Sequence, residues 1–186
     1  MGSRHIPMRY MQMSQHKEKS REERPGVLTL SAIGVVRSPH RTPGSPPFQS
    51  AFSPADGTIE LFPEFQDGLQ DLDGFSRLTI LYYFDRAKGC ALLEKPLMDG
   101  TQAHGIFSTR HFNRPNPIGI SHVVLKKVEG TTLTLGCVDM LDGTPVLDIK
   151  PYIPSFDSFP DERTGWVCES HLDCLRKEGA RMKEKV

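Results

Sequence analysis

The stretch "ISHVVLKKVEGTTLTLGCVD", Ile120 to Asp139, decides the fold. Two runs rich in β-branched and apolar residues, "HVVLKKV" and "TLTLGCV", flank Glu129-Gly130. Strand-like runs on either side of a glycine turn predict a β-hairpin. A hairpin joins antiparallel strands, so the question is whether the rest of the chain continues in that style.

It does on both sides. "RLTILYYFDR", Arg77 to Arg86, reads as a continuous apolar strand buried on both faces and ending in a charged pair. "HGIFSTR" reads as a further strand ending at Arg110. Asp56-Gly57 reads as a turn before the alternating "TIELF". "VLTLSAIGVV", Val27 to Val36, reads as the first strand, with Gly34 in mid-strand. Downstream, "LDGTPVLDIKPYIP" holds a second Asp-Gly turn and another strand. Helical signals are few: a turn or two around Leu69 and Leu72, and a terminal helix within 167–185. Strands joined by turns rather than by crossover helices indicate a mainly β chain, an antiparallel barrel or sandwich. The expected organisation is a basic flexible arm over 1–26, a β domain over 27–160 and a helical tail over 161–186.

The totals fit one globular domain with tails: of 186 residues, 37% are hydrophobic and 25% charged, which excludes wholesale disorder. No apolar run approaches the ~20 residues of a membrane span. The N-terminal stretch has no apolar core, so it is not a secretory signal. Four cysteines are too few for a disulfide scaffold, which points to a cytoplasmic protein with reduced thiols, Cys90 and Cys137 being expected in the core. Cys168, His171 and Cys174 resemble a ligand cluster. Helical spacing spreads them over more than one face and no fourth ligand is evident, so no metal is expected. Net charge is zero but uneven. Residues 1–26 carry six Lys/Arg against three Asp/Glu, and 176–186 carry five against two. The ends are thus basic and the body acidic, which suits either nucleic-acid contact through the ends or two solvated tails. The chain has neither the dinucleotide glycine fingerprint nor a P-loop, and neither the serine elbow nor the zinc-protease pair.

Polar groups gather at strand ends: Asp85 and Arg86, Arg110, Asp139, Asp148 and Lys150. In a barrel such ends meet at a rim and can line one mouth; alternatively each charge caps its own strand in water. The segment "TRHFNRPNPIGIS", Thr109 to Ser121, is stiffened by Pro115 and Pro117, which push Arg114 and Asn116 toward extended backbone. Arg110 and Arg114, four apart, suit a carboxylate or other anion. The other reading of this segment is a rigid corner between two strands.

Three segments, "AIGVVRSP", "STRHFNRPNPIGIS" and "DMLDGTPVLDIKPYIP", resemble the TsaA-like family in composition and order, over about Ile33 to Asp157. The resemblance implies a single-sheet antiparallel β-barrel that binds S-adenosyl-L-methionine, usually as a homodimer. It also implies methyl transfer to N6 of a threonylcarbamoyl-adenosine beside a tRNA anticodon. Carried over residue by residue, the cofactor contacts are Gln49, Ser50, Ala51, Asp85, Arg86, Arg110, Ile120, Gly136, Cys137, Val138 and Asp139. The chain departs from the bacterial pattern in having Asp85-Arg86 where that has His-Gln, and "PPFQ" where that has P-R-Q. Longer members of the family carry a C-terminal extension beyond the matching stretch. On this reading Asp139 accepts the N6 proton, its alternative role being cofactor binding alone. Arg110 holds the cofactor's carboxylate, and Arg114, Asn116 and Lys150 face the RNA. Two rival readings keep the cofactor: transfer to a small molecule or another RNA, and a non-catalytic sensor.

Overall fold

The computed structural model describes residues 26–183 except positions 45, 97, 99 and 100. The basic arm expected over 1–26 therefore lies outside the described residues, apart from Gly26. Six strands close into one antiparallel barrel: β1 (Gly34–Arg37), β2 (Asp56–Leu61), β3 (Arg77–Tyr83), β6 (Ile118–Glu129), β7 (Thr132–Gly136) and β8 (Pro145–Pro151). Around the barrel the order is β1-β2-β7-β6-β3-β8, with β8 returning to β1. A small separate ribbon pairs β4 (Leu93–Glu94) with β5 (His104–Gly105). Two helices follow the barrel, α1 (Pro154–Asp157) and α2 (Glu169–Lys183). Of the barrel and sandwich that the strand pattern leaves open, this is the barrel, the single-sheet form that the family resemblance implies, with a C-terminal helix.

Side chains alternate in and out along each strand, and the inward set is apolar. Val36, Ile59, Leu78, Ile80, Val123, Leu133, Leu135 and Val146 are fully buried and fill the interior. Each such side chain stabilises the fold by roughly 1.5–3 kcal/mol through burial. Val138 and Met140, in the segment after β7, belong to the same buried core cluster. The hairpin read from the sequence is β6–β7, turning at Gly130 with φ 56°. The β3–β6 seam runs the full length of β3, from Arg77 opposite Val124 to Tyr83 opposite Ile118. The β1–β8 seam is short, confined to Gly34 opposite Val146 and Val35 opposite Pro145. It is extended by loop bonds: Val36 N–H donates to Thr144 O at 2.9 Å, and Gly143 N–H to Val36 O at 2.9 Å.

Several local expectations are corrected. Val27 to Ile33 are outside the barrel strand, and Val27 and Leu28 are exposed. Asp56-Gly57 is no turn but the start of β2; a Cβ on Gly57 would lie 2.6 Å from the Arg37 carbonyl, so the glycine serves close strand approach. The segment "HGIFSTR" is a two-residue strand followed by a 3-10 turn at Ile106–Ser108. Cys90 is exposed and Cys137 only partly buried, so neither is a core thiol. Cys137 takes a left-handed backbone, φ 60°, and this kink ends β7. Among the described residues, no helix is long and apolar enough to cross a membrane.

Candidate functional site

β3 ends, β6 starts and β8 starts at the same rim, and a cavity of about 260 Å³ opens there. Its wall is aromatic. Tyr82 and Phe84 meet edge to face at 5.1 Å, Phe84 lies 6.1 Å from Phe112, and Phe112 stacks on His111 at 4.2 Å. The loop between β1 and β2 is rich in proline, and its Pro46, Pro47 and Gln49 also line the cavity.

The inner floor is built by strand parity. Leu78, Ile80 and Tyr82 alternate along β3 and share its inward face, so the last of them brings a phenol to the rim. The β3–β8 register shifts between Leu81 and Tyr82, a bulge of the kind that re-aims a side chain. Gly119 stands opposite Tyr82, and a Cβ there would lie 2.3 Å from the phenol ring. Only glycine leaves room for this ring. Two residues on, inward Ser121 is 2% exposed and hydrogen-bonds both ways. Its hydroxyl donates to Asp139 Oδ1 at 2.6 Å and lies 3.3 Å from the Tyr82 hydroxyl.

Asp139 follows the Cys137 kink, which aims it into the cavity. Burial pushes its carboxyl up to about 6, against the pull of the Ser121 bond, its own and the Ser50 backbone N–H groups, and Arg110. Burial likewise raises Tyr82 far above the ordinary phenol value, with the Asp139 charge adding to it. Asp85 is raised by partial burial, opposed by Arg86. The segment carrying Asp139 is anchored from below: Val138 O accepts from the Ser53 hydroxyl at 2.5 Å and meets His40 Nε2 at 3.1 Å.

Three guanidinium groups surround the mouth. Arg110 donates to Gln49 Oε1 at 2.6 Å, which ties the proline-rich loop to the rim. Arg86 donates to the Arg41 and Asp142 carbonyls at 3.1 and 2.8 Å. Arg114 donates to the Thr109 carbonyl at 3.1 Å. The stiff motif is thus a corner as well as a wall: Ile118 N–H bonds back to Asn116 O at 2.7 Å, starting β6.

Of the site residues expected from the sequence, Gln49, Asp85, Arg86, Arg110, Arg114, Ile120 and Asp139 line the cavity. Ser50 lies just behind it, its hydroxyl accepting from His122 N–H at 3.3 Å. Ala51 is exposed in the 3-10 turn Ser50–Phe52. Gly136 ends β7, Cys137 and Val138 lead on from it to Asp139, and none of the three lines the cavity among the described residues. Asn116 is exposed and outside the lining. Lys150 is not at this rim: the register sets it beside Thr79, toward the far end of β8, where it pairs with Asp148 at 2.7 Å. Sequence reasoning missed Tyr82, Gly119 and Ser121. The signal for Tyr82 was its shared parity with Leu78 and Ile80.

Known proteins agree with this architecture. Residues 35–158 match the family described as "tRNA-methyltransferase O N-terminal domain". A probable S-adenosyl-L-methionine-binding protein of Pyrococcus abyssi is 46% identical over 154 residues, 82% of this chain and 83% of that protein. The tRNA (adenine(37)-N6)-methyltransferase of Escherichia coli is 39% identical over 145 residues, 73% of this chain and 62% of that protein. The crystal structure of TrmO from Pseudomonas aeruginosa superposes with a TM-score of 0.64 at 38% identity, covering 75% of this chain and 62% of that one. The chain thus spans less than two thirds of the Escherichia coli and Pseudomonas proteins.

Proposed function

The chain belongs to the tRNA-methyltransferase O N-terminal domain family, and from that premise we propose that it is an S-adenosylmethionine-dependent methyltransferase acting on N6 of a threonylcarbamoyl-adenosine beside a tRNA anticodon. The observation that carries this reading is the juxtaposition at one rim of a partly buried carboxylate, Asp139, an aromatic wall and the Arg110 guanidinium.

The residues fit the cofactor by their chemistry. Its parts are an aromatic base, a sulfonium cation and an amino acid. Phe84, Phe112 and Ile120 offer apolar surface for the base, and aromatic faces also attract a cation. Arg110 suits the carboxylate, its guanidinium already oriented by Gln49. When bound, S-adenosylmethionine supplies an electrophilic methyl group on sulfur. The chain's own work is alignment and proton control. Fixing donor and acceptor in one cavity lowers the barrier by up to roughly 7–11 kcal/mol. Asp139 holds the proton released by the acceptor amine, a role typically worth ~10²–10⁴-fold. Its raised pKa makes it a stronger base than an ordinary carboxylate once it is ionised.

The barrel domain over 27–160 carries the site. The basic arm over 1–26 and the basic end of the tail over 161–186 add tRNA affinity that weakens with salt. Arg114, at the mouth, faces the RNA, and Asn116 contributes from outside the cavity. The working form is a cytoplasmic homodimer. Calorimetry with S-adenosylmethionine, then methyl transfer to unfractionated tRNA read by nucleoside mass analysis, tests this. Absence of both binding and transfer would overturn it. Binding without transfer to any tRNA would retain the cofactor and remove the tRNA reading.

A further inference from the structure

Ser121 has one proton and two hydrogen-bonding neighbours. The shorter contact, 2.6 Å, is to a carboxylate that cannot donate when ionised, so the proton goes to Asp139. The 3.3 Å contact must then run the other way, from the Tyr82 hydroxyl to the Ser121 oxygen. A phenol that stays protonated throughout the working range is a permanent donor. The result is a chain with one direction: Tyr82 donates to Ser121, and Ser121 donates to Asp139. Tyr82 can take this position only because Gly119 lacks a Cβ.

We infer that Tyr82 and Ser121, with Gly119 as the space that admits the phenol, are the positioning residues of Asp139 for the proton it takes from the acceptor amine. The inference rests on the methyltransferase reading for its role in turnover, but the hydroxyl chain itself belongs to the free protein. The chain does two things. It fixes the carboxylate's orientation through Oδ1, and it favours the ionised form of a group that burial would otherwise keep protonated. Other charged or titratable groups also face this cavity: Arg110 and Arg114 from the loop before β6, His111 beside them, and Asp85 and Arg86 from the end of β3. Only Ser121, however, meets Asp139 through a side-chain hydrogen bond among the described residues.

The test compares the parent chain with Ser121→Ala and Tyr82→Phe, after thermal melts have shown that each folds. The first readout is the Asp139 carboxyl titration in the free protein, followed by carbon NMR on aspartate-labelled chains. The expected result is a midpoint raised on the order of one pH unit in Ser121→Ala, and by less in Tyr82→Phe. The second readout is kcat for methyl transfer against pH. Its acid limb should move up by the same amounts, with kcat at neutral pH about tenfold lower in Ser121→Ala and cofactor Kd within about threefold of the parent. An unmoved midpoint in both variants would overturn the inference. So would a lowered kcat with an unmoved acid limb, which is what a merely structural role gives. Shifted midpoints in a chain that transfers no methyl group would leave the hydroxyl chain standing and overturn the methyltransferase reading and the assigned role together. Should Ser121→Ala not fold, the Tyr82→Phe titration alone decides.

Discussion

Two aspartates of the same barrel hold nearly equal hydrogen-bonding distances and mean different things. Asp148, on the outer wall of β8, meets Lys150 at 2.7 Å, and both side chains are about half exposed. Asp139, at the inner rim, meets Ser121 at 2.6 Å and is only partly exposed, with its carboxyl raised by burial among cavity residues. The outer pair exchanges solvent for a partner at little net gain, about 0–1 kcal/mol. The inner carboxylate gives up hydration for a few fixed donors, and its proton affinity rises as a result. Distance alone does not mark a functional acid; the loss of water around it does.

The largest expected effect breaks the inner member. Asp139→Asn should lower methyl transfer about 10²-fold or more, measured as kcat. It should also stabilise the protein above pH 6. Asp139 in the folded chain sits at about 6, above the ordinary 3.8, so the folded form binds the proton more tightly. Its penalty is absent below about pH 4, grows as pH rises to 6 and is complete beyond. Urea unfolding at pH 7.5 should therefore show Asp139→Asn more stable by about 1–3 kcal/mol, and at pH 4 no gain. A variant no more stable at either pH would remove the claim that burial strains this carboxylate.

Gly119→Ala tests the room made for Tyr82. A methyl group 2.3 Å from the ring must displace it, at a cost of about 1–3 kcal/mol in unfolding free energy. Arg110→Ala should weaken cofactor binding about tenfold by calorimetry, as one charged hydrogen-bonding group is lost. Lys150→Ala sharpens the comparison from the other side. Its stability should change by less than ~0.5 kcal/mol in the same urea series, and cofactor affinity should not change. A large loss there would show that the outer pair is no mere solvated contact.

The barrel was legible because its signals are local. The β6–β7 hairpin follows from alternating residues about Gly130, and the charged ends Asp85-Arg86, Arg110 and Asp139 do meet at one mouth. What was not legible depends on which strand end lies at which rim. Lys150 was grouped with the site because it ends a strand. β8 begins at the cavity with Pro145 and runs away from it, so its terminal residues reach the other side. Tyr82 was hidden because "LTILYY" has bulky residues at nearly every position, with Thr79 its one short polar side chain, and this masks the two-residue alternation. Gly119 and Ser121 are small, and their importance lies in what stands opposite them, a fact of register. Asp56-Gly57 misled for the same reason: the dipeptide favours a turn, but close packing against β1 uses the same glycine in extended form.

The short closing seam between β1 and β8 has a consequence for how this protein becomes active. It joins strands from opposite ends of the domain, so closing it costs more chain entropy than closing a hairpin, and it is expected to form late in folding. The same contacts hold the loop of Asp142, Gly143 and Thr144 against Val36 and His40, and Thr144 lines the cavity. A folding chain can thus acquire nearly all its β-structure and still be unable to take its ligand. Competence is then expected to return with the slowest phase of barrel closure, which stopped-flow refolding in the presence of the cofactor would check.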